Sequence, residues 1–188
     1  MEKHLGGFRY KCACCGNEFE GAPSFGSDIP AFVRSVPEDE RADRVMLDSD
    51  LCIVRPRENE GTEEDIFAIR VTLEIPIHDS HEPFQWGLWV SQSKDSFIRY
   101  LETYEQDQSD EVSFGWLPVT MVYYREFDSE DFSGSLACDV NWGPAGQRPT
   151  IMLHECDHPL YLDQANGISW DKAIEIAQEC MRAIHKPH

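Results

Sequence analysis

The stretch 67–77 constrains the fold of this chain more than any other segment. Apolar residues occupy every second position from Phe67 to Ile77, and polar or small residues occupy most positions between them. Because successive side chains of a β-strand point to opposite faces of a sheet, this period of two predicts a long strand with one buried face. A second alternating set runs from Phe84 to Val90 after turn-like residues. The two segments predict a long antiparallel hairpin.

Weaker signals around the hairpin complete the predicted architecture. Further strand signals lie at 51–54, 112–124 with an interruption at Pro118, 132–142 and 150–153. Helix-start signals lie near Ser35 (a helix to about Val45), Ser93, Leu160 and Ser169. The strands adjoin each other rather than alternating with helices, which favours an α+β fold. We therefore predict a single α+β domain over 1–188, with a mainly antiparallel β-sheet and about three to four helices, the last one C-terminal and amphipathic.

Composition and charge exclude several functional classes. The 188 residues, 41% of them hydrophobic, suit one globular domain. No apolar run reaches the roughly 18 residues that a membrane span needs, and residues 1–7 lack the apolar segment of a signal peptide. We therefore expect a cytoplasmic protein without a membrane partner. The 35 acidic residues outnumber the 16 basic ones and give a net charge of −19, which would repel nucleic acid.

Reactive side chains concentrate in an N-terminal cysteine turn, at about residues 8–26. Cys12 and Cys15 form a C-x-x-C pair followed by glycine, which is half of the ligand set of a zinc knuckle. The chain has seven cysteines but no second such pair, so other residues would have to complete a site. Cys52 is our first choice for a third metal ligand, and His158 is a less favoured fourth. Free thiols and inert turn cysteines are the alternatives.

Residues 154–158 match H-E-x-x-H, the motif of zinc-dependent proteases. That motif works only on a helix, where its two histidines lie one turn apart. Here 150–153 predicts a strand, and Pro159 disfavours helical geometry at His158. We interpret the string as a chance match, in which Asp157 and Pro159 start the next helix. The alternative is an extended segment whose two histidines and cysteine point to one side, as a metal would require.

Two aromatic-glycine strings lie at 84–89 and 114–117. Such strings can line a ligand groove, but packing in the core of the sheet explains them better. Gly87 and Gly115 inside predicted strands indicate bulges or a close approach of two backbones. No dinucleotide, phosphate-loop or nucleophile-elbow motif accompanies the strings.

Short strings distributed in order over nearly the whole chain carry a family resemblance. They are Cys12-x-x-Cys15-Gly16, Phe25-Gly26, Ser49-Asp50-x-Cys52, Glu74-Ile75-Pro76-Ile77, Phe84-x-Trp86-Gly87-x-Trp89-Val90-Ser91, Phe114-Gly115-Trp116-Leu117, Arg148-Pro149, Asp157-His158-Pro159-Leu160 and Gly167-Ile168. Together they resemble a bacterial family catalogued as domain of unknown function 2199. The resemblance implies a single-domain protein and brings no established activity. Related sequences often carry histidine where this chain has Phe19, so three of four family-type ligands remain, at Cys12, Cys15 and Cys52.

These observations lead to three functional expectations. The first is a non-enzymatic domain that binds a protein partner or a small ligand, with the cysteine turn as a structural site for which zinc is the candidate metal. The second is a metal-dependent enzyme that uses Cys12, Cys15 and Cys52 together with His158. The third is an acidic, immunity-type or decoy partner of a basic protein.

Overall fold

The computed structural model describes residues 8–13, 15–57, 64–125 and 134–185. The β-strands in these ranges are β1 (Arg9–Lys11), β2 (Glu18–Glu20), β3 (Ser24–Gly26), β4 (Val45–Leu47), β5 (Leu51–Val54), β6 (Ile66–Ile75), β7 (Phe84–Gln92), β8 (Gln108–Pro118), β9 (Ser135–Gly143) and β10 (Thr150–Leu153). The α-helices are α1 (Ala31–Arg34), α2 (Arg41–Arg44), α3 (Lys94–Thr103), α4 (Pro159–Asn166) and α5 (Trp170–His185), and a 3-10 turn covers Glu38–Glu40.

Strands β6 to β10 form a closed, mixed β-barrel. Each strand pairs with the next in antiparallel orientation, and β10 then returns to β6 in parallel orientation. At this closure Thr150 lies opposite Thr72, and the Thr72 N–H donates to the Pro149 carbonyl at 2.8 Å. The predicted α+β fold with a mainly antiparallel sheet and about three to four helices is therefore wrong, because the described residues form a closed mixed barrel with three strands added to it and five α-helices. The long β6–β7 hairpin does form as predicted, but it belongs to a barrel.

Each strand of the β6–β7 hairpin pairs with two different strands along its outer edge, one after the other. The first half of β6 pairs with β5, to which β4 is added, and Thr72 further along pairs with β10. The first half of β7 pairs in parallel with β3, whereas Ser91 near its end pairs with β8. Strands β3, β4 and β5 therefore extend the barrel wall without closing it.

Helices α3, α4 and α5 lie near their predicted positions. The Ser93 hydroxyl accepts a hydrogen bond from the Ser96 N–H at 3.1 Å, and the Ser169 hydroxyl accepts one from the Lys172 N–H at 3.2 Å, so both predicted caps are confirmed. The helix predicted from Ser35 to about Val45 ends where expected, at the C-cap Val45 of α2, but its predicted start at Ser35 is wrong, because Ser35 ends α1. Proline at position 37 disfavours helical geometry at the residue before it, and the segment contains only short helical turns.

Buried side chains form a main core and a smaller second cluster. The main core contains apolar residues of the barrel strands and the buried face of α5. The second cluster lies under α1 and contains Val33, Val36, Cys52, Val54, Ala68 and Trp89. Within the described ranges, no helix is both long enough and apolar enough to cross a membrane. The predicted strand residue Phe132 lies outside the described residues.

Candidate functional site

The exposed side of β8, β9 and β10 carries neighbouring aromatic and apolar side chains, and we name it the aromatic face. Its strand members share the outward phase of β8, β9 or β10, and His154 follows β10 directly: Val112, Phe114, Trp116, Ala137, Asp139, Asn141, Thr150, Met152 and His154. They form three rows across the strands. In the middle row, Phe114 lies opposite Asp139, which lies opposite Met152.

The large apolar side chains of this face are half exposed. Phe114 and Trp116 each keep 48% of their surface, and Met152 keeps 54%. The Phe114 ring lies edge-on to Trp116, with ring centroids 5.4 Å apart, and 5.7 Å from the His154 ring. Fully burying a side chain of this size is favourable by about 1.5–3 kcal/mol, and these side chains could gain about half of that, so we treat the aromatic face as the candidate site.

Acidic groups lie at the centre and along the borders of the aromatic face. Asp139 occupies the centre, where its Oδ1 lies 2.9 Å from His154 Nε2. Asp110 and Glu111 precede Val112 on β8, and Glu155 follows His154. Within the described residues Glu111 pairs with Arg99. The face therefore combines an apolar platform with negative charge.

A buried polar network holds β8 in place behind the aromatic face. The Ser113 hydroxyl donates to Gln92 Oε1 at 2.6 Å, and Trp142 Nε1 donates to the same hydroxyl at 2.8 Å. Gln92 Nε2 also donates to the Phe114 carbonyl at 3.3 Å. Since these groups are buried and paired, the strand that carries Phe114 and Trp116 is held rigidly.

The phase of β8 results from the close approach of β7. A Cβ at Gly115 would lie 2.8 Å from the Ser91 carbonyl oxygen, so only glycine fits on the buried side at this point. Gly115 therefore faces β7, and the aromatic residues on either side of it face outward. The predicted core packing is confirmed for 84–89, whose aromatic side chains are buried, and is wrong for Phe114 and Trp116. The alternation itself was visible in the sequence, but its phase was not.

The cysteine turn forms a tight loop between β1 and β2. The Cys12 N–H donates to the Asn17 carbonyl at 2.8 Å, and the Gly16 N–H donates to the Cys12 carbonyl at 2.9 Å. Cys12 is buried in the main core, whereas Cys15 is exposed. Phe19 stacks on Tyr10 with ring centroids 5.2 Å apart. The position where relatives often carry histidine therefore contributes aromatic packing.

Cys52 lies in the second cluster, opposite Ala68 on β6. Burial raises the pKa of its thiol to about 11, whereas zinc needs the thiolate. In the described parts of the chain, no three His, Cys, Asp or Glu side chains are placed to hold a metal ion. The structure thus does not bring Cys12, Cys15 and Cys52 together. Zinc binding stays a prediction that this geometry does not support.

His158 is buried at the start of α4, where its Nδ1 accepts a hydrogen bond from the Leu160 N–H at 3.1 Å. Burial lowers the pKa of the imidazole, and Asp157 opposes this effect. The motif H-E-x-x-H requires a helix. Residues 154–158 are not helical, so they do not provide this context. The helix start was predicted correctly at Pro159, but the capping side chain is His158 rather than Asp157.

Comparison with known families matches residues 11–168 to the family described as "Uncharacterized protein conserved in bacteria (DUF2199)". The chain belongs to this family. The resemblance of the short strings is thereby confirmed, and the matched range includes the whole aromatic face of this DUF2199 member. Searches of curated proteins and of solved structures returned no significant match.

Proposed function

We propose that this protein is a non-enzymatic interaction domain that docks a basic protein partner on the aromatic face. One observation carries the proposal: Phe114, Trp116 and Met152 are about half exposed side by side around the carboxylate of Asp139. Tryptophan is enriched among the residues that dominate binding energy at protein interfaces. A partner would insert apolar side chains between these residues and place cations near the surrounding carboxylates.

The net charge of the chain indicates the class of partner. The net charge of −19 opposes nucleic acid and favours a positively charged protein. A second copy of this chain is a poor occupant, because a symmetric contact through the centre of the face would bring Asp139 against its own counterpart. Complementary charge would speed association and make it sensitive to salt.

The test uses a synthetic peptide of alternating leucine and lysine as the probe. Its control is the matching peptide of leucine and glutamate, and binding is followed by fluorescence anisotropy at low and high salt. We expect the wild type to bind only the basic peptide, with an affinity that falls as salt rises. The double variant Phe114→Ser/Trp116→Ser should weaken binding by about tenfold or more, because two large anchors are removed.

A matched variant separates the aromatic face from surface hydrophobicity in general. Ile98 and Leu101 on α3 are 41% and 45% exposed and are not members of the aromatic face, so Ile98→Ser/Leu101→Ser should leave peptide binding unchanged. Equal binding of both peptides, or equal binding by the wild type and the Phe114→Ser/Trp116→Ser variant, would contradict the proposal. Self-association of the wild type in sedimentation that this variant abolishes would instead assign the face to a second copy.

The structural zinc site and the metal-dependent enzyme are tested separately. Both need thiolates from Cys12 and Cys15, and the enzyme also needs Cys52 and His158. Elemental analysis of protein purified without chelators separates both metal-binding hypotheses from the metal-free domain. A structural zinc site would be filled close to one metal per chain. A content below about 0.1 metal per chain would remove both hypotheses.

A further inference from the structure

A cavity of about 190 Å³ lies between β3, α1, β7, residues 120–122 and α5. Its walls are mainly apolar and include Phe25, Trp86, Leu88, Met121 and Cys180. Sites for drug-sized ligands have volumes of about 300–1,000 Å³, so this cavity suits a smaller molecule. None of its lining residues belongs to the aromatic face.

Arg34 lines the cavity and has no carboxylate partner among the residues that the structure describes. Its Nη2 donates to the Ser27 hydroxyl at 3.2 Å, and this hydroxyl donates to the Ile29 carbonyl at 2.7 Å. An arginine whose side-chain partner is a neutral hydroxyl keeps its positive charge uncompensated. The guanidinium is therefore available to a bound anion.

Trp86 provides a second, independent feature of the cavity wall. The residue is only 3% exposed, and its indole N–H is buried without an acceptor in the described part of the protein. By contrast, the indole of Trp89, three residues further along β7, donates to the Ser27 carbonyl at 2.8 Å. The apolar body of a ligand can therefore lie against this indole ring without displacing a hydrogen bond of its N–H group.

We propose that this cavity binds a small organic anion with an apolar body. Its carboxylate would pair with the Arg34 guanidinium, and its body would contact Leu88, Met121 and the indole ring of Trp86. The walls suit this class of ligand, because burial raises the pKa of the Cys180 thiol to about 12 and keeps it uncharged. A larger groove of about 470 Å³ beside Cys52 has no cation among its described lining residues and lacks such an anchor.

The experiment follows the indole N–H signal of Trp86 by NMR, with Trp86→Phe used to assign it. The probes are phenylacetate, isovalerate and pyruvate, and phenylacetamide is the uncharged analogue of the first. We expect at least one of the anions to shift the signal in a saturable way, and the amide to bind about tenfold more weakly or not at all. Absence of a saturable shift with all three anions would overturn the proposal.

Three variants locate the site. Arg34→Gln should weaken binding of the active probe by about tenfold or more, because it removes the cation. Ala183→Phe should abolish binding, because this exposed residue of α5 lines the cavity and a phenyl ring would fill it. Arg55→Gln removes the same charge from an exposed position outside the cavity and should have no effect. Unchanged binding by Arg34→Gln, or equal losses in Arg34→Gln and Arg55→Gln, would contradict the assignment.

The proposals for the cavity and for the aromatic face can be tested independently of each other. The variant Phe114→Ser/Trp116→Ser should bind the anion like the wild type, and Arg34→Gln should bind the basic peptide like the wild type. Coupled losses would overturn the assignment of two separate sites.

Discussion

The two sides of the β8–β10 wall use the same strands for different purposes. On the buried side, Trp142 is 3% exposed and its indole N–H belongs to a polar network with Ser113 and Gln92. On the exposed side, Trp116 is 48% exposed and contacts Phe114 edge-on. The comparison teaches that residue type alone does not assign a role to a strand position. Its phase relative to the core decides whether a tryptophan stabilises the fold or remains available to a partner.

The largest expected effect contrasts the two tryptophans. Trp142→Ala should lower the free energy of unfolding by about 3–5 kcal/mol, because it leaves a large cavity and removes a donor from the buried network. Trp116→Ala should change this free energy by about 0.5 kcal/mol or less, because the side chain is half exposed. Urea denaturation of both variants measures the difference. Similar losses would contradict the division between the two sides.

A smaller effect is expected at the point where β7 and β8 approach each other. Gly115→Ala should lower the free energy of unfolding by about 1–3 kcal/mol, because the new Cβ would lie 2.8 Å from the Ser91 carbonyl oxygen and both backbones would have to move. Thr150→Ala, at an exposed position of β10, is the control and should stay near the wild type. A stable Gly115→Ala protein would show that the barrel tolerates a wider spacing here.

The smallest effect concerns the buried histidine that follows β10. Burial lowers the pKa of His158 in the folded protein below the value of 6.5 for an unperturbed histidine, so the unfolded chain binds more protons as pH falls. The contribution of neutral His158 to the free energy of unfolding is thus complete above about pH 6.5. It is lost as pH falls toward the pKa of His158 in the folded protein. His158→Asn keeps a capping side chain but removes the titration. The stability of this variant should depend less on pH between about 5 and 7, and an unchanged pH dependence would refute the assignment.

Local patterns were sufficient for much of the fold. The period of two in 67–77 predicted β6, and the serine caps at Ser93 and Ser169 predicted α3 and α5. These predictions succeeded because each depends on neighbouring residues in the chain. The placement of the candidate metal ligands depends instead on long-range contacts. Cys12 and Cys52 are distant in sequence, and the fold places them in different hydrophobic clusters.

The sequence by itself indicated the approximate positions of the barrel strands β6 to β10, although β8 begins at Gln108 rather than at Val112, and it indicated that β8 alternates between two kinds of side chain. It did not determine which kind faces the core, because glycine and leucine on one side and two aromatic residues on the other make both phases plausible. The tertiary structure decided this through the contact of Gly115 with the β7 backbone. It likewise decided that the sheet closes, because the parallel pairing of Thr72 with Thr150 joins residues that no local pattern connects. The aromatic face is the consequence of both long-range contacts.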